Sequence, residues 1–343
     1  MRRSASRLGI FLLIGIFVMS IAGIWVGSVP LGISQVWDIL KYRITGGALP
    51  AELAGTDRIL FVLRIPRTIM MLLTGAALAC SGASYQGLFR NPLADPYLIG
   101  VSTGASLGAV IAMSVQWPYT KWGTMMTPIL AFVVSLLTVW VVFKLGKVSG
   151  ITGNTGLILS GVAVNSFITA VTSVWMLFSH RELRTSFSWM LGGMTVNGWE
   201  PIKIVIPFIL IGIIGQFLLS HRLNVLQFGE EQAANLGISV HKTRIGIVFF
   251  ATLTTAAAIS FSGVIGFVGL IIPHVIRILT GGDYRKLIPL SALGGAFFLL
   301  LADVIARVII APQELPVGII TAIAGAPFFL WLLNRNTRRE IER

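Results

Sequence analysis

Charge is scarce in this chain of 343 residues. Asp, Glu, Lys and Arg make up 11% of it and hydrophobic residues 55%, where soluble domains carry about 25% charged residues. That composition excludes a soluble globular protein and places the chain among polytopic membrane proteins. Acid is the scarcer sign, with 13 Asp and Glu against 26 Lys and Arg, a formal net charge of +13. The basic residues lie between apolar runs and form no continuous face, so they report lipid topology and exclude a nucleic-acid partner. The single cysteine, Cys80, lies in an apolar run and has no partner for an internal disulfide, so the fold needs no oxidising compartment. The four histidines lack metal-ligand spacing, and no metal site is expected.

Catalytic signatures are missing too. No GxxxxGK[ST] loop cradles a phosphate; Gly146 and Lys147 are followed by Val148. Any ATPase must be another chain. With no HExxH helix and no Cys-rich metal pattern, the chain reads as a transport component with no catalytic residues of its own.

What it has in abundance is apolar length. Leu8 to Gly27 is long enough to cross a bilayer, and its basic start, MRRSASR, with no cleavage site before Pro30, marks a retained span. Further runs follow at Pro66 to Phe89, Tyr97 to Val115, Pro128 to Leu145, Gly156 to Phe178 and Ile204 to Leu219. Ile245 to Leu279 is too long for one rod and must turn back near Gly263, Gly266 and Gly269. Leu287 to Ile310 and Pro316 to Leu333 complete about ten spans with both termini on one side. Most Lys and Arg then fall on the side of the termini, which makes that side cytoplasmic. Ile33 to Leu40 reads as an interfacial helix. The 179–203 loop, with Phe187, Trp189 and Met190, suggests a short helix dipping into the outer membrane surface.

One polar stretch interrupts this pattern at residues 221–244. Gly229, Glu230 and Glu231 precede a helix-forming run ending at Leu236, and Gly237 supplies a natural C′ residue. Ala233, Leu236 and Phe228 could form a small apolar edge there. A solvated connection and a docking surface both fit this composition. At the opposite side Arg64 and Arg67 flank Pro66, and Arg307 joins them, either as lipid-phosphate anchors or as a docking site for an acidic protein. Asp303 and Arg307 are spaced to pair on one helix face. Gln86 and Asn165 read as interhelical glue, and His274 after Pro273 as a hydrogen-bonded residue at a kink. Repeats of small residues at Gly100, Gly104 and Gly108, at Gly23 and Gly27, and at Gly75, Ala79 and Ala83 allow close helix approach.

Several phrases in fixed order resemble one family. They are RIPR at 64–67, GAALACSGASYQGLFRNPLADPYLIGVSTGA at 75–105, LQFGEEQAANLG at 226–237, GVIGFVGLIIPHVIRILTGGDYR at 263–285, LLLADVIAR at 299–307 and ELPVGIITAIAGAPFFLWLL at 314–333. The chain is similar to permease subunits of ABC importers for iron-siderophores, haem and cobalamin. The resemblance implies an all-α type II importer permease fold forming one transmembrane domain over residues 1–343, in the plasma or inner membrane of a bacterium. It implies pairing with a second permease, expected to be an identical copy, docking of two ATPase subunits that carry the ATP and Mg, and delivery by an extracytoplasmic substrate-binding protein. By the same resemblance Leu226, Gly229, Glu230, Glu231, Ala233, Leu236 and Gly237 form the ATPase-coupling segment. Asn154 and Thr155 match the cytoplasmic gate, and Arg64, Arg67 and Arg307 the binding-protein docking positions. A ferric siderophore is the first expectation for cargo, and an ion-gradient secondary transporter the competing class.

Overall fold

Helices begin and end where the sequence supplies punctuation. The computed structural model describes residues 2–27, 29–46, 49–148, 154–179, 183–194 and 198–341, and among them every regular element is helical. Parts of the 28–57 connection and of the 179–203 loop therefore lie outside the described residues. The order is α1 (Arg2–Trp25), α2 (Ile33–Thr45), α3 (Ala54–Arg58), α4 (Ile65–Phe89), α5 (Val101–Ser114), α6 (Lys121–Val148) and α7 (Asn154–Phe178). Then come α8 (Leu183–Met190), α9 (Glu200–Leu226), α10 (Glu230–Asn235), α11 (Val240–Ser262), α12 (Val268–Thr280), α13 (Tyr284–Val308) and α14 (Val317–Ile341).

Seven of these segments are long and apolar enough to cross a membrane: α1, the 51–89 run ending in α4, α6, α7, α9, α11 and α13. Three further apolar helices are shorter, α5, α12 and the Val317–Trp331 part of α14. With 14 and 13 residues, α5 and α12 each reach only about 20 Å, against a hydrocarbon core of about 30 Å. Against about ten expected spans, seven helices among the described residues have the length to cross, and the remaining three apolar helices fall short of it. Non-helical backbone accounts for the shortening: a 3₁₀ turn, Pro96–Ile99, precedes α5, and residues 263–267 precede α12 without helical bonding. Such backbone is tolerated at membrane depth only where protein satisfies it. Tyr97 does so, its hydroxyl donating to Ile265 O at 2.8 Å and accepting from Ile265 N–H at 3.3 Å.

The bundle is assembled around α4, which is buried almost continuously from Thr74 to Phe89. Its glycines permit this. A methyl at Gly75 would overlap the carbonyl of Gly295 on α13, and one at Gly82 the carbonyl of Gly269 on α12. Backbones that meet this closely gain dispersion contact over a long seam, the force left to helix association in lipid. The Gly104 and Gly108 stripe meets α6 in the same manner, at Thr138 and Leu130.

Side-chain contacts sort the helix ends into two faces. Asn154 at the start of α7 bonds the end of α4, and Asn224 near the end of α9 bonds Asp283 and Tyr284 at the start of α13. The opposite face gathers the ends of α1 and α13 with the start of α4 through Arg64 and Arg307, and the ends of α5 and α7 through the Trp175–Ser114 bond. There α2 rests on Leu31 and Leu60 through Val36 and Ile39 and leaves Trp37 and Ile44 exposed. In α8, Phe187 is exposed, but Trp189 is wholly buried in protein, not dipped into lipid.

Replacing Gly75 with Leu forces α4 and α13 apart at a backbone contact that cannot yield. Thermal unfolding in detergent should show a loss of about 1–3 kcal/mol. Gly266→Ala, where an added methyl meets open space, should stay within about 0.5 kcal/mol of the parent.

Candidate functional site

The α10 face is built on the last turn of α4. A helix C-terminus leaves its final carbonyls without helical partners. Two side-chain amides from distant parts of the chain take them up. Gln227 Nε2 donates to Gly87 O at 3.0 Å, and Asn154 Nδ2 donates to Leu88 O at 2.7 Å. The expected gate residue Asn154 and Gln227, within the expected coupling segment, therefore bond adjacent carbonyls of one helix. Thr155 follows Asn154 and is exposed. Asn224 ties the same end of α9 to the α12–α13 turn, its amide donating to Asp283 at 2.8 Å and its carbonyl accepting from Tyr284 N–H at 2.8 Å. Asn224 and Gln227 escaped the sequence reading, although an Asn and a Gln one turn apart at the end of an apolar run are a signal for capping foreign backbone.

From this anchored end the chain turns at Gly229, whose φ of 112° only glycine adopts without strain. Helix α10 follows and closes in a Schellman motif. Ile238 N–H bonds Ala233 O, Gly237 N–H bonds Ala234 O, and Gly237 takes φ of 80°. Glu230 pairs with Arg244 of α11 at 2.6 Å. The expected apolar edge is split by this geometry. Leu226 and Ala233 are buried against their own protein, while Phe228 and Leu236 are each 68% exposed. Glu231 is exposed beside them. The result is a short helix fixed at both ends, with an exposed apolar side chain on either side of it.

At the opposite face the three arginines form an internal network. Arg64 is buried and donates to the carbonyls of Ile24, Trp25 and Val29, close to Gly27, where a side chain would collide with the guanidinium. Arg307 is buried, bonds Gly23 O at 2.9 Å and Val26 O at 3.1 Å, and pairs with Asp303 at 3.0 Å. Arg67 pairs with the same Asp303 at 2.9 Å and with Glu314, and is the member of the three that remains partly exposed. The expected Asp303–Arg307 pair exists, with Arg67 as a third partner. Gln86 donates to Leu270 O at 3.1 Å, and Asn165 accepts from Thr103 at 2.7 Å, both bridging elements as expected. His274 lies against the Phe328 ring, and no hydrogen bond reaches its Nδ1.

Two openings lie at the arginine face. A cavity of about 800 Å³ is lined by Ser114, Val171, Val174, Trp175 and Phe178, and a polar one of about 130 Å³ by Arg67, Ser188, Asp303 and Glu314. Among the described residues no cluster of three His, Cys, Asp or Glu could hold a metal. The GVSTG run at 100–104 has the spacing of a nucleophile elbow, yet it opens helix α5 after a 3₁₀ turn and follows no strand.

The model of the FecCD transport family matches residues 12–335. The chain belongs to that family. Among its relatives are the cobalamin import system permease protein BtuC of Halobacterium salinarum, 42% identical over 79% of this chain and 72% of that one, and the hemin transport system permease protein HmuU of Yersinia pestis, 36% identical over 95% and 94%. A solved structure described as an inward-facing metal-chelate type ABC transporter superposes with a TM-score of 0.81 at 28% identity, covering 96% of this chain and 99% of that one. This FecCD protein is accordingly an all-α ABC importer permease, a membrane transport component and not an enzyme.

Two measurements follow from this geometry. Asp303→Asn leaves Arg67 and Arg307 without their shared carboxylate, and a lower midpoint in detergent melts should reflect a loss of about 3–5 kcal/mol. Asp95, beyond the end of α4, has its carboxyl pushed up to about 6 by burial, against the lowering effect of the Tyr97 N–H bond. A raised folded-state value stabilises below the unfolded value of about 4 and is lost as pH rises through the folded one. Stability should fall between about pH 4 and pH 6, and Asp95→Asn should flatten that segment of the melting-against-pH curve.

Proposed function

We propose that this permease imports an iron chelate, a ferric siderophore first, using ATP and Mg bound on separate ATPase subunits. Haem and cobalamin, named for two relatives, are the alternative cargoes within the same family. The observation that carries the mechanism is the shared seat on α4: the amides of Gln227 and Asn154 bond the adjacent carbonyls of Gly87 and Leu88. A push on α10 reaches α4 through Gln227 and meets the α7 start there, so ATPase closure and gate movement share one mechanical element. Phe228 and Leu236 are the apolar knobs that enter the ATPase cleft, with Glu231 at its rim. Gly229 and Gly237 set the angle of α10, while Leu226, Ala233 and the Glu230–Arg244 pair hold it to its own subunit.

The remaining partners take the surfaces left open. An identical permease copy covers the exposed apolar side of α7, where Leu159, Val162, Phe167 and Val174 face outward. The translocation path then runs beside the cavity at Trp175 and Phe178. An acidic binding protein docks at the arginine face. Arg67 makes that contact directly, whereas Arg64 and Arg307 shape the surface by fixing the ends of α1 and α13. With the arginine face outside, both termini lie in the cytoplasm and the chain forms one permease domain.

Vesicles reconstituted with the ATPase subunits test this reading. Gln227→Leu and Leu236→Asp should leave the protein folded and ATP hydrolysis running, with uptake reduced by at least tenfold, a coupling loss of about 1.4 kcal/mol. Uptake driven by an ion gradient without ATPase subunits would refute the proposal in favour of secondary transport. Arg67→Glu should weaken binding-protein docking and lower its salt sensitivity.

A further inference from the structure

A groove opens between α6, α9 and α11 near the arginine face, away from the cavities at Trp175 and Arg67. It encloses about 300 Å³. Pro128 within α6 and Pro207 within α9 interrupt the helical ladders at its level, each lacking the N–H that would close a turn. The back wall is buried and consists of Val205, Ala257, Ser260 and Phe261. The rim is exposed, with Trp122 at 75% and Ile129, Ile204 and Phe208 beside it. Phe132 and Phe208, with ring centroids 5.3 Å apart, close the end toward the membrane centre. Ser260, the one hydroxyl in the lining, spends its proton on Ala257 O at 2.9 Å, so the groove offers far fewer than the two to four polar partners that a trapped water needs.

We infer that this groove is a binding site for one acyl chain of an anionic phospholipid. Trp122 and Phe132 are separated by about 15 Å along α6, half of a hydrocarbon core of about 30 Å, so the groove spans the acyl region of one leaflet. An apolar slot opening sideways at that depth faces lipid tails. The mouth selects the headgroup. Lys121 and Lys203 each immediately precede a rim residue, Trp122 and Ile204, and both are exposed. The Trp122 ring sits at the same level, where an indole belongs at a membrane interface. Glu200 reaches Lys203 at 3.5 Å, but both side chains are more than half exposed. Such a pair is too weak to withhold the ammonium from a lipid phosphate. The inference does not depend on cargo or on ATPase coupling.

Brominated lipids test it. The full chain is reconstituted in phosphatidylcholine vesicles with rising fractions of chain-dibrominated phosphatidylglycerol or, separately, dibrominated phosphatidylcholine. The emission of Trp122 is taken as the difference between the parent and Trp122→Phe. Half-quenching should occur at about fivefold lower mole fraction for the phosphatidylglycerol. Lys121→Glu with Lys203→Glu should bring the two curves together. Ala257→Phe, which fills the back wall, should abolish the early quenching, and Ile204→Trp in a Trp122→Phe background repeats the test from the rim should the core variant fail to fold. Identical curves for both lipids in the parent would overturn the proposal in favour of ordinary surrounding lipid. Absence of quenching by either lipid would overturn it in favour of a second protein copy covering the groove.

Discussion

Gly87 and Leu88 close the C-terminal end of α4, and the organisation of one membrane face depends on how their carbonyls are bonded, Leu88 O by the Asn154 amide and Gly87 O by the Gln227 amide beside a 3.3 Å bond from Arg90 N–H. In lipid or at its edge, an unpaired carbonyl costs more than in water, so side chains that supply a donor are held firmly. Gln227 and Asn154 supply donors from positions 140 and 66 residues away in sequence. This need for satisfaction places the segment after α9 and the start of α7 on a common support. The same reasoning applies at the other face, where buried guanidiniums of Arg64 and Arg307 take up the terminal carbonyls of α1.

Burial of charge and exposure of apolar groups divide labour between the faces. In the Arg67–Asp303–Arg307 cluster Asp303 and Arg307 are buried and Arg67 is partly exposed, and the value of the buried pair lies in fixing geometry more than in net stability, since each buried ion costs dehydration that its partners only offset. At the α10 face Phe228 and Leu236 are exposed. These two large apolar side chains flank a six-residue helix bounded by Gly229 and Gly237 and tied to α11 by the Glu230–Arg244 pair, and together they form a small exposed apolar surface.

Long apolar runs made most of the fold legible in advance, because a chain in lipid must bond its backbone within each segment and so must be helical. Run length was a poorer guide for α5 and α12. There Tyr97 satisfies backbone around Ile265, and a contact between residues 168 positions apart leaves no local pattern. The arginines show the same limit. Their place at one face was readable from the runs, but the burial of Arg64 and Arg307 depends on Gly23 near the end of α1 and Gly27 just beyond it, which admit the guanidiniums. A role for Ala233 in an exposed edge was likewise a matter of helix phase that composition does not carry.

The residues alone determined that this chain is a polytopic helical membrane protein, because hydropathy is a property of composition and local order. They also carried the family, through six phrases in sequence. Only the tertiary structure decided which amides meet at α4, which arginine stays accessible, and where a lipid-facing groove opens between α6 and α9. Those outcomes rest on angles and distances between segments far apart in the chain, set by glycine contacts and proline interruptions acting together.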